Sequence, residues 1–283
     1  MEPNMRKIDL GLVSEKVREL FISACEDIPA NVLEKITEAR DEEASPLCRE
    51  VLSGIIENDE LARREHLPIC QDTGLALVWL TIGSEVVFEG DIYEAVNEGV
   101  RSAYVGGYLR KSVVRHPLDR KNTGDNTPAI VYIKIVPGDT FRIDVAPKGG
   151  GSENMSSVKM LIPADGKEGV KRFVLDAVRE AGGKPCPPIV VGVGVGGSFE
   201  RCALIAKEAL LREIDDESSD PIARELEREL YEEINAMGIG AMGFGGTRTC
   251  LAVKVNVHPC HIASLPAAIN IQCHAARHKS CEI

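Results

Sequence analysis

No stretch of this sequence approaches the ~20 consecutive apolar residues that a membrane-crossing helix needs. The first ten residues, Met1 to Leu10, lack the apolar centre of a secretory signal. The expectation is a cytoplasmic chain that does not engage a membrane. Basic residues are also in short supply: 33 Lys and Arg stand against 44 Asp and Glu, a net charge of −11. With a pI near 5.2, no basic face is available for nucleic acid or an anionic lipid surface. Repeats and low-complexity tracts are missing as well. The nine cysteines are an odd number, which in a reducing compartment argues against a disulfide framework.

What remains is ordinary globular composition, with 44% hydrophobic and 27% charged residues over 283 positions. That length suffices for one large domain or two small ones. The acidic balance has a chemical consequence: a small dianion would be repelled at long range. A site for dicarboxylates on this chain therefore needs a local concentration of Arg, Lys or backbone N–H groups.

Apolar residues recur at helical spacing through Val13, Val17, Leu20, Phe21 and Ala24, then Val32, Leu33 and Ile36, so residues 1–65 read as a helical segment. Leu75 to Ile82, between Gly74 and Gly83, reads as a strand, and Ile92 to Tyr104 as a helix closed by Gly106-Gly107. Ala129 to Val136 and Thr140 to Val145 read as a hairpin around Pro137-Gly138-Asp139. Helices are expected at 168–181, 199–214 and 222–237, and strands at 189–195, 250–257 and 267–273. Asp215 to Asp220 (DDESSD) reads as a solvated loop. The fold class is α/β (mixed α+β), a helical N-terminal segment followed by strands and helices. The whole of 1–283 is expected to be one domain.

Five segments concentrate reactive or glycine-rich residues. Cys70-Gln71-Asp72-Thr73-Gly74 places a thiol, an amide, a carboxylate and a hydroxyl where helix gives way to strand; a plain turn, with Asp72 and Thr73 bonding local backbone, is the competing reading. Lys148-Gly149-Gly150-Gly151-Ser152-Glu153-Asn154 leaves successive N–H groups uncovered, as an anion-wrapping loop or a flexible connection would. Pro185-Cys186-Pro187-Pro188 stiffens the approach to a sulfur. It leads into glycines 192, 194 and 197, a formal but weak G-x-G-x-x-G match. Gly238 to Gly246 is a further glycine-rich run. Last come four His and three Cys between His258 and Cys281, whose spacings match no standard zinc pairing.

In this order, ICQDTG (69–74), YLRKS (108–112), NTGDNTPA (122–129), KGGGSEN (148–154), PCPP (185–188), GVGVGGS (192–198) and HIASLPAAINIQCHAAR (261–277) resemble the class I fumarate hydratase family. They resemble its relative, L-tartrate dehydratase, as well. The resemblance implies a [4Fe–4S] cluster, in a cleft of the fold, held by three cysteines with one iron open to substrate. The matching positions are Cys70, Cys186 and Cys273, with Cys260 a competitor for the third. It further implies Asp72 as the acid/base, Gln71 orienting substrate, Arg110 pairing a substrate carboxylate and Gly151 offering its backbone N–H.

Single-chain members continue beyond the third cysteine into a second domain carrying further cationic contacts. Ending at Ile283, this chain is expected to be an α subunit with a separate β subunit, and a homodimer of α is expected within an α2β2 assembly. The Ser152-Glu153-Asn154 sequence, where the tartrate branch has a Cys-Thr pattern, points to fumarate and malate rather than tartrate. Other classes left open are a non-catalytic iron–sulfur or zinc scaffold and a nucleotide-dependent oxidoreductase.

Overall fold

A computed structural model of the chain describes residues 5–283; the first four, part of the N-terminal stretch read above, lie outside the described residues. The order begins β1 (Arg6–Lys7), α1 (Leu10–Glu26), α2 (Ala30–Glu42), α3 (Pro46–Glu65), β2 (Leu75–Gly83), β3 (Val86–Val87) and α4 (Ile92–Gly106). There follow β4 (Ile130–Val136), β5 (Phe141–Lys148), α5 (Gly150–Glu153), β6 (Ser157–Leu161), α6 (Gly166–Ala181) and β7 (Ile189–Gly196). The chain closes with α7 (Phe199–Ala209), α8 (Pro221–Ala236), β8 (Cys250–His258), β9 (Leu265–Gln272) and β10 (Lys279–Glu282). This is the mixed α/β architecture the pattern implied. No described helix is long and apolar enough to cross a membrane.

Two compact units divide these elements. The first holds the chain up to Pro29, Asp59–Gly150 and Arg277–Ile283. Its four-stranded sheet has the order β10-β5-β2-β4. β2 runs parallel to β4 and antiparallel to β5, with Val78 opposite Val131 on one side and Val145 on the other. The expected hairpin of 129–145 is thus overturned: the two strands exist, but β2 lies between them. β2 is apolar along its length and buried on both faces, so it takes the centre, where both edges are hydrogen-bonded.

Alternation places Ala76, Val78, Leu80 and Ile82 of β2 with Phe141, Ile143 and Val145 of β5 in one core with α1 and α4. α1 contributes Val13, Val17, Phe21 and Ala24, spaced three to four apart, and Asp9 caps it through the Gly11 N–H at 2.8 Å. α4 supplies Val96, Val100, Ala103 and Tyr104. A Cβ on Gly99 would sit 2.5 Å from the Ser14 carbonyl oxygen, so a side chain there would push the two helices apart.

The second unit comprises Ala30–Asn58 and Gly151–Ala276. Its sheet has the order β6-β9-β7-β8, with β7 parallel to β8 and antiparallel to β9. Val191 and Val193 of β7, with Ile269 and Ile271 of β9, pack with Val170, Phe173 and Val174 of α6 and Leu226, Leu230 and Ile234 of α8. The opposite face carries the glycines of the formal dinucleotide match. Cβ atoms on Gly192 and Gly194 would lie 2.2 and 2.1 Å from the carbonyl oxygens of Ala206 and Cys202 in α7. These glycines let a helix lie directly on a strand; the run is a packing device.

α7 ends at Ala209, short of the expected 214, because the chain then turns into the acidic loop. That loop is only partly solvated in the sense expected. Asp216 pairs with Arg212 and with the buried Lys254, and Asp220 caps α8 through the N–H groups of Ile222 and Ala223.

Candidate active site

The first unit carries Cys70, Gln71, Asp72 and Arg110. The loop from Cys70 to Gly74 leaves α3 and enters β2, and it bonds itself into a turn: Asp72 Oδ1 accepts from the Gly74 N–H at 3.0 Å, as the local reading of the sequence anticipated. The second carboxylate oxygen does something the sequence did not reveal. Asp72 Oδ2 accepts from the Gly150 N–H at 2.8 Å, so the carboxylate joins the turn to the start of the glycine run. Gly74 has φ +77°, and a Cβ there would lie 2.6 Å from the Lys148 carbonyl, so no other residue fits this closure.

Arg110 is exposed, and its segment is held to the same turn. Thr73 Oγ1 donates to the Arg110 carbonyl oxygen at 3.1 Å. Asn126, fully buried, accepts from the N–H groups of Ser112 and Val113 at 2.6 and 3.1 Å and donates to the Gly74 carbonyl oxygen at 3.1 Å. Tyr104 donates from below to the Thr73 carbonyl oxygen at 2.7 Å. Arg277, 3% exposed, donates to the Asp72 carbonyl oxygen at 2.8 Å. Burial raises the Cys25 thiol to about 11, and burial also raises the Tyr104 phenol; in both cases the nearby Arg277 charge opposes the shift and Asp72 adds to it.

Asn126, Tyr104 and Arg277 are supports that residue-by-residue reading missed. Two of them lie in segments already singled out, NTGDNTPA and the end of HIASLPAAINIQCHAAR. Tyr104 carried no signal beyond helical spacing.

The second unit carries Gly151, Cys186 and Cys273. Residues 150–153 form a helical turn. Gly151 is exposed, while Ser152 is buried. Glu153 is bound on both oxygens, to Lys207 Nζ and to Asn270 Nδ2, the latter at 3.0 Å. The residue used above to separate fumarate from tartrate therefore has its carboxylate engaged inside its own unit.

Cys186 is exposed, in the left-handed region at φ 56°, between the buried Pro185 and Pro187. The glycine run at 238–246 explains this rigidity: the Met242 N–H donates to the Pro187 carbonyl oxygen at 2.8 Å, and a Cβ on Gly183 would lie 3.2 Å from the Gly243 Cα. The His274 N–H donates to the Cys186 carbonyl oxygen at 3.3 Å, which makes the Cys273-His274 step a neighbour of Cys186. Cys260 lies elsewhere in this unit, on an apolar cavity of about 390 Å³ with Val195, Ile222, Leu226 and Ile262.

The thiols sort by burial. Cys25, Cys48, Cys202 and Cys250 are buried, Cys70, Cys186 and Cys260 are exposed, and Cys273 and Cys281 are intermediate. Among the described residues, no three His, Cys, Asp or Glu side chains are grouped as a metal site. The donor chemistry of Cys70, Cys186 and Cys273 nevertheless suits a soft metal or cluster: all three are thiols outside the core, on irregular segments.

Comparison with known proteins decides the family. The fumarate hydratase (Fumerase) family model matches residues 14–282. The chain belongs to the fumarate hydratase family. Within this family of hydro-lyases it is 45% identical over 276 residues to a Methanocaldococcus jannaschii protein provisionally named L(+)-tartrate dehydratase subunit alpha, covering 94% of this chain and 95% of that one. It is 31% identical over 254 residues to the L(+)-tartrate dehydratase subunit alpha of Escherichia coli K12, covering 88% and 84%. The Shigella sonnei protein of the same name matches to the same extent.

Proposed function

We propose that this chain is the α subunit of a two-subunit hydro-lyase that interconverts fumarate and malate. Membership of the fumarate hydratase family supports the reaction type, and the α-subunit names of the relatives support a separate partner chain. The observation that carries the reading is Asp72: its carboxylate is oriented by two backbone N–H groups on a loop that also presents Cys70 and Gln71.

Cys70, Cys186 and Cys273 would hold a [4Fe–4S] cluster in this reading, with Cys273 preferred to Cys260 because its segment bonds to that of Cys186. Once bound, the cluster supplies Lewis acidity for the substrate hydroxyl and one carboxylate.

The protein residues do the rest. Asp72 exchanges the proton on the carbon beside a carboxylate, a role worth roughly 10²–10⁴ in rate. Its backbone donors keep the oxygens from rotating away from that proton. Arg110 meets a substrate carboxylate with its planar fork, and the Thr73 and Asn126 bonds hold its segment to the Asp72 loop. Gln71, exposed beside Asp72, orients the substrate, and Gly151 adds a backbone donor. The partner subunit supplies further cations, since a buried carboxylate left unpaired costs several kcal/mol.

L-tartrate is the second reading. The names of the relatives favour it, and the engagement of Glu153 with Lys207 and Asn270 weakens the sequence argument for fumarate. The test is anaerobic reconstitution of the chain with and without its candidate second subunit, followed by assay with fumarate, malate and L-tartrate. Turnover of fumarate and malate, dependent on the second subunit, with L-tartrate inert, supports the proposal. Turnover of L-tartrate alone moves it to the second reading, and full activity of this chain alone refutes the divided site.

A further inference from the structure

Among the described residues, Arg277 is one of two buried cationic side chains of the first unit, with Lys148 the other, and Arg277 lies outside every helix and strand. Its place is set by the sheet. β10 pairs antiparallel with β5, Lys279 opposite Val145, so Arg277, two residues earlier, reaches the end of β5 where Lys148 and Gly149 begin the glycine run. There its guanidinium bonds the Asp72 loop and faces the open side of Gly149 at the start of the glycine run. Nη1 donates to the Asp72 carbonyl oxygen at 2.8 Å. Nη2 lies 3.5 Å from the position a Cβ on Gly149 would take, and Asp72 Oδ2 lies 3.4 Å from that same position.

A guanidinium is suited to this because its donors form a rigid fork, and a hydrogen bond from a charged donor is roughly twice as strong as a neutral one. At 3% exposure, Arg277 is poorly placed to meet a substrate directly. We propose that Arg277 is a positioning residue: it clamps the Cys70–Gly74 loop to the start of the glycine run and so fixes the direction of the Asp72 carboxylate. Its effect on turnover rests on the acid/base reading of Asp72; its effect on the loop does not.

The experiment reads both. Hydrogen exchange is measured on the full chain, wild type, Arg277→Lys and Arg277→Gln, at the Gly74 and Gly150 amides that donate to Asp72 and at the β2 core amides. The expected result is exchange at Gly74 and Gly150 faster by about tenfold or more in Arg277→Gln, with Arg277→Lys between and the β2 core unchanged. Unchanged exchange at the two glycines overturns the proposal. An equal loss of protection throughout the unit also overturns it, because Arg277 then contributes only general stability. Arg277→Lys, which keeps the charge, distinguishes these outcomes should Arg277→Gln fold poorly.

In the complex with the second subunit, Arg277→Gln is expected to lower kcat with KM nearly constant, and Arg277→Lys to restore part of it. A rise in KM alone assigns Arg277 to substrate binding and overturns the clamp. A wild-type complex that turns over neither dicarboxylate refutes the proposed function, while the exchange result still decides the role of Arg277.

Discussion

The Gly150 N–H meets the Asp72 carboxylate at 2.8 Å, joining the loop that follows α3 to the glycine run that follows β5. The two residues are far apart in sequence and adjacent because β2 and β5 pair, with Leu75 opposite Lys148. Each segment continues immediately beyond that pair, so the sheet register brings the carboxylate to the amide.

Asp72→Asn removes the proton-transfer group while keeping the side-chain shape. The amide side chain keeps one acceptor oxygen but presents an NH2 to the other backbone N–H, at a cost of about 1–3 kcal/mol. The protein is expected to fold and to lose at least ~10² in turnover. Thermal unfolding and the hydration assay check this; near-normal turnover would remove Asp72 from the mechanism.

Gly74→Ala should be far more damaging to stability. The substitution forces a side chain into φ +77° and brings its Cβ to 2.6 Å from the Lys148 carbonyl. A loss of about 3 kcal/mol or more is expected in denaturant unfolding, together with loss of activity. A loss below about 0.5 kcal/mol would show that the closure is plastic.

The cysteine set is testable by metal analysis. Cys70→Ser, Cys186→Ser and Cys273→Ser are each expected to abolish iron incorporation during anaerobic reconstitution, while Cys25→Ser and Cys48→Ser retain it. Cys260→Ser is expected to retain it too. Iron retained in Cys273→Ser but lost in Cys260→Ser would transfer the third ligand to Cys260.

Glu43 makes a pH prediction. It is buried, which pushes its carboxyl upward, but hydrogen bonds from Ser45, Cys48 and Thr247 outweigh that and hold it below the ordinary value. A depressed carboxyl contributes stability that is present above the unfolded-state value of about 4.3 and disappears as pH falls through the folded-state value. Unfolding stability should therefore drop on acidification below about pH 5. Glu43→Gln should be less stable at neutral pH by about 1–3 kcal/mol and show a smaller acid-induced loss. Parallel acid profiles for the two proteins would show that Glu43 does not contribute.

The local elements were readable in advance because their signals are local. The helical spacing of Val13, Val17 and Phe21 and the apolar run of β2 each announce one element whatever surrounds it. The pairing of β4 and β5 was misread because a Pro-Gly-Asp turn between two apolar runs has the same signature whether or not another strand enters between them. Glycines 192 and 194 show the same limit. A nucleotide loop and a helix packed on a strand both need bare backbone, and only the 2.1–2.2 Å approaches of α7 carbonyls tell them apart.

By itself, the sequence determined the α/β class, the family and the short list of chemistry-bearing segments, since each rests on residue type and order. Only the tertiary structure decided that Asp72 Oδ2 accepts from the Gly150 N–H, that Glu153 is engaged by Lys207 and Asn270, and that Asn126, Tyr104 and Arg277 bond to the carbonyl groups of the loop. These contacts join residues distant in the chain, and their partners are mostly backbone groups that every residue carries. A hydrogen bond to a main-chain carbonyl leaves no mark on the residue that provides it, so sheet register and packing, not composition, select the pair.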